Sequence, residues 1–186
     1  LIQNGSANLI GGPSASTRNL ISGNALNGVL IQGSPATGNI VQGNYIGLNI
    51  SGTDSVANGF VGVNIFSASN KVADNVIAGI RRSGVAIQTA SAAWNVVQGN
   101  LVGTNAAGTQ PLANLFGINV INAAYNVIGG IYPEVRNVIS GNRVDGIILQ
   151  GAGTIVTAVQ GNYIGTNSTG TASVPNRNNG ISIVGS

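Results

Sequence analysis

The phrase "NIVQGNYIG", Asn39–Gly47, returns as "NVVQGNLVG" at Asn95–Gly103 and as "TAVQGNYIG" at Thr157–Gly165. The steps are 56 and 62 residues. Recurrence at long, nearly constant steps marks stacked structural units rather than a single reactive site. The rest of the chain falls into the same register. Asn8, Asn70 and Asn126 open equivalent units, and Asn19, Asn75 and Asn137 lie at matching places within them. The six-residue difference sits in one spot: "NLIGGPSASTRN" and "NVIGGIYPEVRN" carry an insertion that "NKVADN" lacks. An insertion confined to one place, with everything else in register, is what a loop on a regular scaffold produces.

Each unit divides again. Gly-apolar-x-apolar occurs six times, beginning at Gly28, Gly62, Gly84, Gly117, Gly146 and Gly180, and each copy is followed by two Asn-x-(Val/Ile) phrases. Apolar residues at every second position indicate short strands. Strands this short bury nothing alone, but stacked about 4.8 Å apart they enclose a continuous core. The chain is therefore expected to be all-β, a right-handed parallel β-helix (β-solenoid) with three short strands per coil, about six coils and a two-coil repeat. The expected core columns are Val29/Ile31 and its five equivalents, then Ile10, Val41, Val72, Val97, Ile128 and Val159, then Ile21, Ile46, Ile77, Val102, Ile139 and Ile164. One domain spans 1–186, with units at roughly 8–69, 70–125 and 126–186. The chain starts and stops inside a coil and lacks Met even at position 1, so it is expected to be a piece of a longer array.

Two asparagine ladders are expected at the corners. Asn8, Asn39, Asn70, Asn95 and Asn126 form one; Asn19, Asn44, Asn75, Asn100, Asn137 and Asn162 form the other. A side-chain amide donates and accepts along the stacking axis, and Asn tolerates the left-handed backbone of a sharp corner. Thr157 interrupts the first ladder, so a local disturbance is expected there. Connections to the Gly strand alternate in length: short after Asn19, Asn75 and Asn137, long after Asn44, Asn100 and Asn162. The long loops are expected on one side of every second coil, about 9.6 Å apart.

Composition limits function. Only 6% of the residues are charged, against about 25% in typical soluble domains, while 43% are hydrophobic. The seven basic side chains are scattered, which speaks against nucleic acid as a partner. No apolar run is long enough for a transmembrane segment. Cys and His are absent, removing thiolate sites and the commonest general base. The acidic side chains, Asp54, Asp74, Glu134 and Asp145, fall in different coils as solvated loop residues, which argues against a carboxylate pair. No catalytic residue, metal site or cofactor is expected. Arg81 and Arg143 take equivalent loop positions two coils apart and are the candidates for contact with an anionic glycan. Arg18 and Arg136, each before a ladder Asn, are expected to bond local carbonyls. The outward row of the Gly strand (Leu30, Asn64, Ala86, Asn119, Ile148 and Ser182) contains no Thr, unlike an ice-binding face. Asn4, Asn49 and Asn167 begin glycosylation sequons. Two outward rows are apolar: Leu9, Ile40, Lys71, Val96, Val127 and Ala158, then Leu20, Tyr45, Val76, Leu101, Val138 and Tyr163. Such rows on a weakly charged chain imply lateral packing against a neighbouring solenoid or an accessory loop, or added support for the stack.

The run "RNVISGN…GIILQG…VQGNYIGTNSTGT…PN…GISI" resembles the right-handed parallel β-helix repeats of the pectate-lyase-like superfold. More narrowly, it is similar to tandem β-helix arrays of bacterial secreted and cell-surface proteins. The resemblance implies an extracellular or cell-surface location and two functional classes. One is a structural or adhesive β-helix, part of a fibre or filament, with identical chains or neighbouring solenoid segments as partners. The other is a polysaccharide-binding or carbohydrate-active β-helix with its chemistry outside this segment. Members of the tandem class often carry Asp in the turn where this chain has Asn49, Asn105 and Asn167, so the resemblance does not extend to calcium.

Overall fold

The computed structural model describes residues 1–185. Three parallel sheets wrap one core. The first holds seven strands: Ile2–Gln3, Val29–Gln32, Val63–Ile65, Ser83–Gln88, Phe116–Ile121, Ile147–Gln150 and Ile181–Val184. The second holds six: Leu9–Gly11, Ile40–Gln42, Lys71–Ala73, Val96–Gln98, Val127–Gly129 and Ala158–Gln160. The third also holds six: Leu20–Ile21, Tyr45–Ile46, Val76–Ile77, Leu101–Val102, Val138–Ile139 and Tyr163–Ile164. Every strand pairs with its counterpart one coil away, so the chain is a right-handed parallel β-helix with three strands per coil. Among the described residues no helix is long and apolar enough to cross a membrane.

The expected columns are the core. Val41 pairs with Ile10 and Val72, and Ile46 with Ile21 and Ile77. In the middle coils Val41, Val72, Val97, Ile46, Ile77 and Val102 are fully buried. Each such side chain contributes about 1.5–3 kcal/mol by leaving water. The glycine opening each first-sheet strand is required by close approach: a Cβ on Gly62 would stand 2.6 Å from Cγ2 of Ile77.

Both asparagine ladders form. In the first, Oδ1 of Asn39 accepts from the Asn8 backbone N–H (3.0 Å) and Asn8 Nδ2 (2.8 Å), and Asn70 Oδ1 takes the same two bonds from Asn39. The second runs from Asn19 through Asn44, Asn75, Asn100 and Asn137 to Asn162. Asn75 shows why the residue must be Asn. Its Nδ2 donates to the Val41 and Ala73 carbonyls and to Asn100 Oδ1, and its Oδ1 accepts from Asn44, all in a buried site. Both ends of the amide are used, as burial demands. At Thr157 the first ladder ends: its Oγ1 is the buried side-chain polar atom without a partner among the described residues.

Two expectations need correction. First, the ladder asparagines are not the left-handed residues. At the first corner that role falls to the residue before each Asn: Ala7, Gly38, Ser69, Trp94, Tyr125 and Val156, with φ between 50° and 70°. The Asn must keep extended backbone so that its own N–H and side chain both point at the next amide, and its neighbour takes the turn at about 1–2 kcal/mol for a non-glycine. Second, a third ladder exists. Asn24 bonds Asn58 Oδ1, and Asn114, Asn142 and Asn176 continue the column at the third corner. Ile80 interrupts it, yet its backbone N–H still donates to Asn114 Oδ1 (2.9 Å).

Candidate functional site

The long loops are not isolated projections 9.6 Å apart. Each is a small hairpin closed by an antiparallel bridge, Leu48–Ser55, Thr104–Pro111 or Thr166–Ser173. The return arm drops back one level and lies beside the short connection of the preceding coil. Thus Val56 accepts from Gly23, Leu112 from Gly79, and Val174 from Gly141. Successive hairpins then bond one another, Ala106 N–H to the Gly52 carbonyl and Ser168 N–H to the Gly108 carbonyl, both 2.9 Å. One long loop fills two levels, which is why the sequence repeats every second coil. Asn49, Asn105 and Asn167 hold the hairpins: each Oδ1 accepts two backbone N–H groups across the loop. Asn49 and Asn167, two of the three sequon asparagines, are thereby engaged in loop closure.

This hairpin stack covers the outward row of the third sheet. Leu48, Val76 and Ala78 form a second buried cluster, with Tyr45, Leu101, Ala106 and Leu112 packed on it. Tyr45 and Tyr163 each carry an arginine on one ring face: Arg18 and Arg136 lie 4.0 Å from the ring centroids. Their Nε groups donate to the Gly43 and Gly161 carbonyls, as expected for local roles. The insertions that contain these arginines form 3-10 turns at Ala15–Thr17 and Pro133–Val135. The outward row of the second sheet has no such cover. Ile40, Val96, Val127 and Ala158 stay half-exposed, and Leu9 and Lys71 are exposed.

Arg81 and Arg143 come together as the spacing suggested. Both line a groove of about 410 Å³ between two hairpins, with Ser55, Ala57, Gly79, Ile80 and Pro111–Ala113. Each follows a third-corner residue, and its backbone N–H donates to the ladder carbonyl one coil back, Asn58 (3.4 Å) or Asn114 (2.8 Å). Neither guanidinium caps a ring, unlike Arg82, which lies 5.2 Å from the Phe60 centroid. The lining supplies two cations and the Ser55 hydroxyl but no carboxylate, so its chemistry is that of holding an anion. Arg177 takes the same place after Asn176, its N–H bonding the Asn142 carbonyl. The signal that would have found it is Asn four residues before the strand glycine, present at Asn24, Asn58, Asn142 and Asn176.

The acidic residues are dispersed. Asp54 and Glu134 are exposed, and Asp74 is exposed and accepts from Gln42 Nε2 (2.8 Å). Asp145 departs from expectation: it is buried, not solvated, and its Oδ1 accepts the Asn179 N–H (3.0 Å) and Nδ2 (2.9 Å). It acts as one more ladder acceptor, with a carboxylate oxygen in place of the amide oxygen.

At the first corner, Trp94 and Tyr125 stack in adjacent coils with centroids 4.5 Å apart and planes 5° from parallel. Both rings are exposed. No family model, no curated protein and no solved structure matches this chain.

Proposed function

We propose that this β-helix is a non-catalytic structural or adhesive element, working outside the cell or on its surface and packing laterally against neighbouring solenoid segments or identical chains. The observation that carries this reading is the uncovered outward row of the second sheet. Ile40, Val96, Val127 and Ala158 repeat at the coil spacing beside a third-sheet row that the chain seals with its own loops. A second solenoid has the same rise of about 4.8 Å per coil, so its side chains match this row level by level. Analytical ultracentrifugation and negative-stain microscopy test it. Rods or bundles that dissolve on Val96→Lys plus Val127→Glu support the reading, and a dispersed wild-type monomer overturns it.

The arginine groove favours a second reading, a polysaccharide-binding β-helix whose chemistry lies outside this segment. Two guanidiniums about two coil rises apart, in a groove without carboxylates, suit a linear anionic glycan. Binding on a polysaccharide array that vanishes with Arg81→Ala plus Arg143→Ala supports it. Binding unchanged by that pair overturns it.

A further inference from the structure

We propose that the exposed face of Trp94 is a stacking site for a pyranose ring, at the first corner and separate from the arginine groove. The register places Trp94 in a column with Ala7, Gly38 and Ser69 on one side and Tyr125 and Val156 on the other. One face of the indole lies on Tyr125, so its opposite face looks toward the level of Ser69. That level and the next hold only a hydroxymethyl and a glycine. The result is a slot about two coil rises deep, roughly 9.6 Å, ending on an aromatic wall. Trp94 is 61% exposed and Tyr125 38%, although the stack is rigid and its two residues hold left-handed backbone, φ 61° and 58°.

Elsewhere in this molecule exposed ring faces are closed by arginine: Tyr45 by Arg18, Tyr163 by Arg136 and Phe60 by Arg82. The indole carries no such cap. Beside the slot stand the Ser69 hydroxyl and the Lys71 ammonium, both on exposed residues and neither bonded within the described chain. An apolar wall with hydrogen-bonding groups at its rim suits a ring that has apolar C–H faces and a hydroxyl edge. A slot deeper than one flat ring suits a puckered sugar better than an arene. Tyr125 braces the indole from behind, so little side-chain entropy is lost on stacking.

Trp94 is the chain's single tryptophan, so its emission reports the site directly. The whole chain is titrated with neutral oligosaccharides of glucose, galactose and N-acetylglucosamine, and emission and acrylamide quenching are read. The expected result is a saturable blue shift with protection from quencher by at least one series. Ser69→Tyr, which fills the slot, weakens that binding at least about tenfold, the size of one lost stacking contact. Ser69→Gly keeps the slot open and binds as the parent does, which separates occlusion from misfolding. Absence of protection by every sugar overturns the proposal. So does protection by p-cresol alone, or a Ser69→Tyr chain that folds and binds unchanged. The inference needs neither lateral assembly nor the arginine groove: a monomer that still protects Trp94 refutes only the first, and an array signal indifferent to Arg81 and Arg143 refutes only the second.

Discussion

The outward rows of the second and third sheets are built from the same kind of residue at the same strand position, yet one is sealed and the other is open. Val76 is 8% exposed and Val138 5%, because hairpins from every second coil lie across that face. Val96 and Val127, in the neighbouring sheet, stay half-exposed. The difference is not hydrophobicity. It is loop length at the corner that follows: the second sheet turns into the third in a two-residue bend at Gln42–Gly43, which leaves no chain to fold back. At that bend Gly43 is left-handed (φ 70°), and a Cβ there would collide with the Gly12 carbonyl oxygen. A short connection therefore exposes a face, and a long one covers it.

Charge substitution breaks this comparison most directly. Val76→Lys puts an ammonium beneath the hairpin stack and is expected to cost about 3 kcal/mol or more in urea denaturation. Leu48→Ala is expected to cost about 3 kcal/mol, since the hairpin's one fully buried anchor leaves a cavity against Val76. Asn105→Ala removes the acceptor of two loop N–H groups. A loss of about 1–2 kcal/mol is expected, together with faster proteolysis within 104–111. Arg18→Ala uncovers one face of Tyr45 and should lower stability by about 0.5–1 kcal/mol, with a smaller effect at high salt. Val96→Lys, on the open row, should change stability by less than about 0.5 kcal/mol. If Val96→Lys and Val76→Lys cost the same, the two faces do not differ as described.

Much of this was legible in the sequence because the core columns, two ladders and the alternation of loop lengths are strictly periodic. Val41 and Ile46 sit where their spacing puts them, and Arg81 and Arg143 reach one groove because register alone brings them there. What escaped was non-periodic or displaced by one. The third ladder was hidden because Ile80 breaks it and its asparagines read as loop residues. The left-handed corner was assigned to Asn when the residue before it takes the turn, a distinction set by where the amide must point. Asp145 looked like a solvated loop acid because nothing local signals that Asn179 stacks on it from the next coil.

The phrase "NIVQGNYIG" by itself determined a corner: two ladder asparagines, two inward aliphatics and a glycine bend, repeated until only a stack could satisfy them. The outside of that corner was decided by tertiary structure. Ile40 and Tyr45 are both outward residues of short strands, and their sequence does not distinguish them. Tyr45 is covered because a hairpin from its own coil folds back over it and Arg18 from the preceding coil reaches its ring. Ile40 remains open because no loop springs from its corner. Inward positions answer to a periodicity that each strand carries in itself. Outward positions answer to whichever neighbour arrives, and that depends on chain many residues away.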